Sequence, residues 1–329
     1  MAEVILTTNQ YGKAENRVVR VSRDTDRHDV IDLNVTSQLR GDFAAAHTDG
    51  DNAHVVATDT QKNTIFAFAR EPITSPEQFL LKLADHFTAE FDWVSGGRWA
   101  AEEFGWSRIG DHDHAFYRSA PETRTAVLVR DGDTNTLLTG FYGLTVMKTT
   151  KSGFVGYPKD KYTTLAETED RILATDVSTR WRYNADAVRS GGLDFDATYD
   201  SVKATIMEKF TEGHSKALQH TLHEMAQAVI DTHDVVDEIK FSCPNKHHFA
   251  SDLTPFGLDN PNVVFYAADR PYGLIEATFQ RDGATAADAA WVGVGGGGAV
   301  ALERGLDQPV GPVRGVEDDV RVVQPERRQ

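Results

Sequence analysis

The chain has 329 residues, of which 40% are hydrophobic and 26% charged, enough for a full core in one large domain or two of ordinary size. Its formal net charge of -16, with no long basic block, argues against nucleic-acid or anionic-membrane partners, and its one cysteine, Cys243, excludes intramolecular disulfides and Cys-based zinc clusters. No apolar run is long enough to cross a bilayer, and the N-terminal stretch MAEVILTTNQYGKAENR lacks a basic segment followed by an apolar one, so a cytoplasmic location is expected.

In chain order, residues 4–24 and 28–43 carry β-branched residues in partial alternation and read as strands. Thr58-Asp59-Thr60-Gln61 fits a Thr-x-x-Gln capping box and predicts a helix starting there. A second helix is predicted after Ser75, with Pro76 in the first helical position and Gln78 completing another box. Phe79, Leu80, Leu83, Phe87 and Phe91 then recur at helical spacing. GRWAAEEFGW, DHAFYRSAPETRTAVLVR and TLLTGFYGLTVMKTT follow as strands.

The second half repeats this order. YTTLAETEDRILATDVSTRWRYN reads mostly as strand. Val202, Ile206 and Phe210 mark one helix. Leu218, Leu222, Met225 and Val229 mark another, with Ser215 as its expected cap. VVDEIKFSC and VVFYAADRPYGLIEATFQ return to strand. Two strands, helices, then strands, twice over, predict an α+β arrangement of antiparallel sheets with helices on one face. The expected units are 1–140 and 141–282, and the Gly/Ala-rich and charged segment 283–329 is expected to be a flexible tail.

Among motifs, Gly293, Gly295 and Gly298 match G-x-G-x-x-G, but without a preceding strand the linker reading is preferred. His112-Asp113-His114 on a strand and His220-x-x-His223 on a helix have spacings compatible with a metal, or are solvated imidazoles. In CPNKHHF, strand parity puts Ile239, Phe241, Cys243, Asn245 and His247 on one face and Lys246 and His248 on the other. Pro244 lacks a donor, so fraying or an edge position is expected there. His247 reads either as a satisfied strand-end histidine or as part of a pocket rim.

NQYGKAENRV, LNVTSQLRGDF, VVATDTQKNT, GLTVMKTT, DKYTTLAETEDRILATDV, PNKHHF and ADRPYGLIEAT together resemble the urate oxidase (uricase) family, its bacterial members in particular, over about residues 5–281. The resemblance implies tandem T-fold units that assemble as a homotetramer around a tunnel, with active sites between subunits. It implies oxidation of urate by O2 and water without metal or organic cofactor. Lys13, Thr58 and His247 match the family's proton relay. Arg171 and Gln219 match the pair that grips the substrate, and Phe154 the ring that stacks on it. Asn245 matches the residue near the oxygen or water position; Asp59 and Leu218 match positions that meet the substrate through backbone or packing. Lys13, Thr58 and Asp59 would come from one chain and Phe154, Arg171, Gln219, Asn245 and His247 from its neighbour. His248 stands where relatives can carry an aromatic residue. Beside this reading two other classes stay open: a non-catalytic or differently reactive T-fold protein that binds a purine or pterin, and a metal-dependent hydrolase using the histidines.

Overall fold

A computed structural model describes residues 4–285. The tail from residue 286, with the glycine spacing at 293–298, lies outside the described residues. The first half runs β1 (Tyr11–Ser22), β2 (Asp29–Gly41), α1 (Ala44–Thr48), α2 (Thr58–Phe68), α3 (Pro76–Glu90), β3 (Val94–Glu103), β4 (Trp106–Arg108), β5 (Phe116–Arg118) and β6 (Thr123–Asp131). The second runs β7 (Thr134–Lys148), β8 (Leu173–Tyr183), α4 (Ala185–Ser190), α5 (Phe195–Thr211), α6 (Leu218–Thr232), β9 (Val236–Ala250) and β10 (Phe265–Gln280).

The long strands form one eight-stranded sheet in the order β1-β2-β3-β6-β7-β8-β9-β10, and every neighbouring pair is antiparallel. The β6–β7 hairpin is where the first run of strands, helices and strands gives way to the second and joins their strands into a continuous sheet. Period-two alternation explains which face is covered. Leu33, Val35 and Leu39 of β2, Trp99 and Ala101 of β3, Val177 and Trp181 of β8, and Ile239, Phe241 and Cys243 of β9 are buried in one core. The apolar stripes of α3, α5 and α6 complete that core from the helix side, through Leu80, Leu83, Phe87, Val202, Ile206, Leu222 and Val229.

A buried charge cluster ties the halves together. Glu77 of α3 accepts from Arg124 of β6 at 2.7 Å and from Thr139 of β7 at 2.6 Å, while Arg124 also donates to Asp196 of α5 at 2.7 Å. With both of its oxygens hydrogen-bonded, the buried Glu77 carboxylate is tolerated.

The structure corrects several sequence expectations. Only Leu173–Tyr183 of the long predicted strand is strand; the residues before it are loop held by an isolated bridge at Thr168. A further helix, α4, is capped by Asn184 and ended by Gly191 in the left-handed conformation. His112 and His114 lie in the loop between β4 and β5, not on a strand. Pro244 is in neither a frayed nor an edge segment: β9 lies between β8 and β10. The β8–β9 register skips Cys243 and Pro244, between Thr175↔Asn245 and Ser178↔Ser242, so the missing donor falls in a gap of that ladder. The Thr175 hydroxyl donates to the Pro244 carbonyl at 2.8 Å and closes the gap.

Candidate active site

The site residues expected from the sequence fall into two clusters. The first forms where β1 meets α2. The β1–β2 register shifts between Lys13 and Asn16, and Glu15 takes a positive φ of 57° there. The buried Asn16 amide donates to the carbonyls of Lys13 (2.9 Å) and Val35 (2.8 Å), which fixes the bulge and the direction of Lys13. The approach to α2 is held by Tyr11, whose hydroxyl donates to the Val56 carbonyl at 3.1 Å.

Helix α2 begins at the predicted place, but not by the predicted capping box. Its N-cap is Ala57, without a side-chain cap bond, and Thr58 is the first helical residue. Gln61 is fully buried and faces the sheet, where its carbonyl accepts from the Ser37 hydroxyl at 3.0 Å. Tertiary burial took the side chain that the local pattern assigned to the helix start. The exposed Asp59 carboxylate is bound to Lys62 and Asn63, which hold its pKa below the usual carboxylate range, with a small contribution from Lys13. That carboxylate is therefore occupied, which leaves the half-buried Thr58 hydroxyl and the first backbone N–H groups of the helix at this turn.

The second cluster is organised by the segment Ser152–Phe154. Arg171 donates its backbone N–H to the Ser152 carbonyl (2.7 Å), and Phe154 exchanges backbone bonds with Thr168 (2.7 and 3.2 Å). On its other side Gly153 donates to the Ser215 carbonyl (2.9 Å), next to the start of α6. A Cβ at Gly153 would stand 3.1 Å from both the His214 ring and the Thr168 carbonyl, so this seam has little room for a side chain. It brings the Arg171 guanidinium over the Phe154 ring, 5.2 Å from its centroid, and Tyr157 stacks on Phe154 at 4.8 Å. Arg171 Nε is buried with no hydrogen-bond partner among the described residues, and burial lowers the guanidinium pKa.

Helix α6 likewise lacks the expected cap. Its N-cap is Ala217, and the Ser215 hydroxyl instead pairs with that of Thr221 at 2.6 Å. Leu218 and Gln219 are the first two helical residues; Leu218 is buried and Gln219 is exposed. By contrast α3, α4 and α5 have side-chain caps from Ser75, Asn184 and Asp194. The longer helices that start bare, α2 and α6, are those whose first residues are site candidates. An uncapped N-terminus leaves N–H donors and the positive end of the helix dipole for an anion.

Strand β9 adds the remaining residues. Asn245 pairs with Thr175 and Gly273, and His247 pairs with Ala268 just before a shift in the β9–β10 register. The His247 ring stacks on Phe249, two residues on, at 5.6 Å, as one face of a strand requires. Lys246 pairs instead with Asp176 at 3.0 Å, and the His248 ring contacts the Lys246 carbonyl. Burial lowers the His247 pKa below 6.5, and the charge of Arg171 and then His248 add to this. Arg171 and His247 therefore share one electrostatic environment.

Within one chain the two clusters remain apart. β1 and β9 are separated by six strand-to-strand steps of the sheet, on the order of 28 Å along it. The other histidine pairs have separate surroundings: His220 faces Glu224 at 3.4 Å, His223 meets the Phe279 ring, and His114 lies 6.2 Å from the His28 ring. Among the described residues no group of three or more His, Cys, Asp or Glu is arranged to hold a metal. Sequence reasoning missed the positioning residues Tyr11, Ser152 and Tyr157, and gave Gln61 and Ser215 capping roles that they do not fill. One signal was legible: Ser37 stands on the core face of β2, where a buried hydroxyl needs a partner.

Comparison with known proteins matches the Uricase family over residues 9–129 and 137–276. The chain is 63% identical to uricase of Arthrobacter globiformis over 294 residues, 89% of this chain and 96% of that one. It is 35% identical to uricase of Aspergillus flavus over 288 residues, 83% and 95% of the two chains. The crystal structure of the Arthrobacter globiformis uricase superposes with a TM-score of 0.84, covering 88% of this chain and 99% of that one. A uricase from Bacillus fastidious, at 24% identity and a TM-score of 0.69, shares the fold across 83% of this chain and 94% of that one. The repeated order of two strands, three helices and further strands, together with these matches, leads to one conclusion: the chain belongs to the uricase family.

Proposed function

We propose that this enzyme oxidises urate with O2 and water to 5-hydroxyisourate and hydrogen peroxide, without metal or organic cofactor, in the cytoplasmic breakdown of purines. The equation balances: O2 takes two electrons from urate and leaves as peroxide, and water supplies the hydroxyl placed on the ring. The protein must then hold a flat, electron-rich anion, move protons and keep bulk water away.

The observation that carries this reading is the buried, unpartnered Nε of Arg171 above the Phe154 ring and near the bare start of α6. An unpaired buried guanidinium N–H is costly until an acceptor arrives, and a planar fork suits a planar anion's carbonyl and ring nitrogen. Gln219 both donates and accepts, so it reads a second, mixed edge of the ring. Phe154 supplies the stacking face, and the backbone N–H groups at Leu218 and Asp59 are donors to the anion. Lys13, the Thr58 hydroxyl and His247 form the proton relay, and Asn245 holds the oxygen or water above the ring.

In this reading a complete site needs two chains. Lys13, Thr58 and Asp59 come from one subunit of a homotetramer, and Phe154, Arg171, Leu218, Gln219, Asn245 and His247 from its neighbour. The separation of the two clusters by most of the sheet's width supports this. The test is to add urate to metal-stripped protein and follow the loss of its ultraviolet absorbance together with peroxide formation. Stoichiometric peroxide, unaffected by chelator, is expected; binding without absorbance loss would leave only a ligand-binding role.

A further inference from the structure

A short turn after β7, Thr150–Lys151, leads into the segment that carries Phe154. Lys151 is not a glycine, yet it takes a positive φ of 59°. That left-handed conformation is strained for a residue with a Cβ, so neighbouring bonds must hold it. Both backbone polar groups of Lys151 are engaged. Its N–H donates to Asp170 Oδ1 at 2.9 Å, and its carbonyl accepts from the Ser215 N–H at 2.8 Å. Asp170 Oδ1 also accepts from the Thr150 hydroxyl at 2.8 Å.

Asp170 precedes Arg171 in the chain but does not neutralise it. Among the described residues the Asp170 carboxylate makes no ion pair, and Arg171 Nε stays buried and unpartnered. The acceptor is turned to the 150–151 turn instead. The Asp170 backbone is pinned as well: the Thr168 hydroxyl donates to its carbonyl at 2.7 Å and accepts from its N–H at 3.3 Å. From the turn, bonds run to both sides of the candidate site. Ser152, next after Lys151, accepts from the Arg171 N–H at 2.7 Å, and Phe154 pairs with Thr168. Ser215, bonded to both Lys151 and Gly153, stands two residues before Ala217, where the bare start of α6 opens. One carboxylate oxygen thus holds the turn through which Arg171, Phe154 and the lead-in to α6 are connected.

We propose that Asp170 is a positioning residue for substrate binding: by holding Lys151 in the left-handed conformation, it keeps the Arg171–Phe154 pair in place against the start of α6. This rests on the reading of those groups as the cradle for urate. The role needs an acceptor at a fixed distance, not a charge. An amide oxygen in the same place serves equally, whereas a carboxylate one methylene farther out does not meet the same two donors. A shift of about 1 Å in a binding group is enough to weaken a site severely. Loss of binding shared by the ground and transition states shows as a higher KM with kcat little changed.

The test is steady-state oxidation of urate by the full chain and its variants, with denaturant midpoints measured alongside. Asp170→Ala and Asp170→Glu should each raise KM about tenfold while kcat falls less than about threefold, and Asp170→Asn should stay within about threefold of the parent in both. Adding Lys151→Gly to Asp170→Ala should bring KM back to within about threefold of the parent, because glycine adopts the positive φ unaided. A carboxylate that served stability alone would shift the midpoints and leave KM unmoved, and one acting by its charge would reverse the order of Glu and Asn. Should Asp170→Ala not fold, the comparison of Asp170→Glu with Asp170→Asn decides the question. A parental KM in Asp170→Ala or Asp170→Glu, an Asp170→Asn as impaired as Asp170→Glu, or a double variant no better than Asp170→Ala overturns the proposal alone. A parent that does not oxidise urate overturns the reading on which it rests, and the proposal with it.

Discussion

The Arg171 guanidinium lies 5.2 Å above the centre of the Phe154 ring, with its Nε buried and unpaired. The two side chains suited to a flat anion are thus already brought together by the Ser152–Phe154 seam before any ligand arrives. Arg171→Lys keeps the charge but loses the planar fork. It should lower kcat/KM for urate on the order of 10²-fold, as loss of a buried charge-assisted pair does. Initial rates of urate absorbance loss check this; a variant within threefold of the parent would remove Arg171 from the site.

His247 should set the acid limb of the pH profile. Its pKa lies below 6.5 because burial, then Arg171, then His248 disfavour the imidazolium. The neutral ring, and any activity that needs it, persists above that lowered pKa and is lost as pH falls through it. The stability it contributes has the same sign: present above the unfolded value, lost on acidification. Arg171→Gln removes one of the three causes, so a residual acid limb should move upward in pH. A limb that stays in place in this variant and in His247→Asn would mean that another group titrates.

Thr58 and Ser75 should separate stability from activity. Ser75 caps α3 and accepts from the Gln78 N–H, so Ser75→Ala should cost about 1 kcal/mol of stability with little kinetic effect. Thr58 is not a cap, so Thr58→Ala should cost under about 0.5 kcal/mol while lowering kcat on the order of 10²-fold. Denaturant midpoints and turnover measured on both variants give the comparison. Equal destabilisation would return Thr58 to a capping role.

Ala217 lies in extended backbone at φ -166° and ψ 159°, a conformation that accepts a capping side chain. Ala217→Asp should therefore stabilise α6 by about 0.5–1 kcal/mol and raise KM for urate at least about tenfold, because the new carboxylate takes the free N–H groups and repels the substrate. Higher stability with an unchanged KM would show that the bare helix start does not meet the substrate.

Complementation tests the two-chain site. Lys13→Ala and Arg171→Gln should each be nearly inactive alone. Co-assembled at equal ratio, they should regain about a quarter of parental activity, since one pairing in four unites two intact halves. No recovery in mixed oligomers, verified by mass, would place both clusters of each site in a single chain.

Much of this was legible along the chain. The alternation of β2 and the stripe Phe79-Leu80-Leu83-Phe87 placed core faces correctly, because burial period follows backbone geometry over a few residues. Strand parity set His247 apart from His248, and the stacking of His247 on Phe249 agrees. Capping was read less well. Thr58-x-x-Gln61 marked the right helix start by the wrong bonds, because Gln61 met Ser37 from a strand 24 residues away in sequence. Ser215 was likewise taken by Thr221 and left α6 bare.

The sequence by itself determined the order of elements, the core faces and the family, since these rest on local periodicity and on motifs carried in the chain. Tertiary structure alone decided which helix starts keep free donors, that Pro244 sits inside the sheet, and that Lys13 and His247 lie far apart in one chain. The physical reason is common to all three. Whether a donor, acceptor or charge is satisfied depends on which remote segments the sheet brings beside it, and local spacing carries no record of those neighbours.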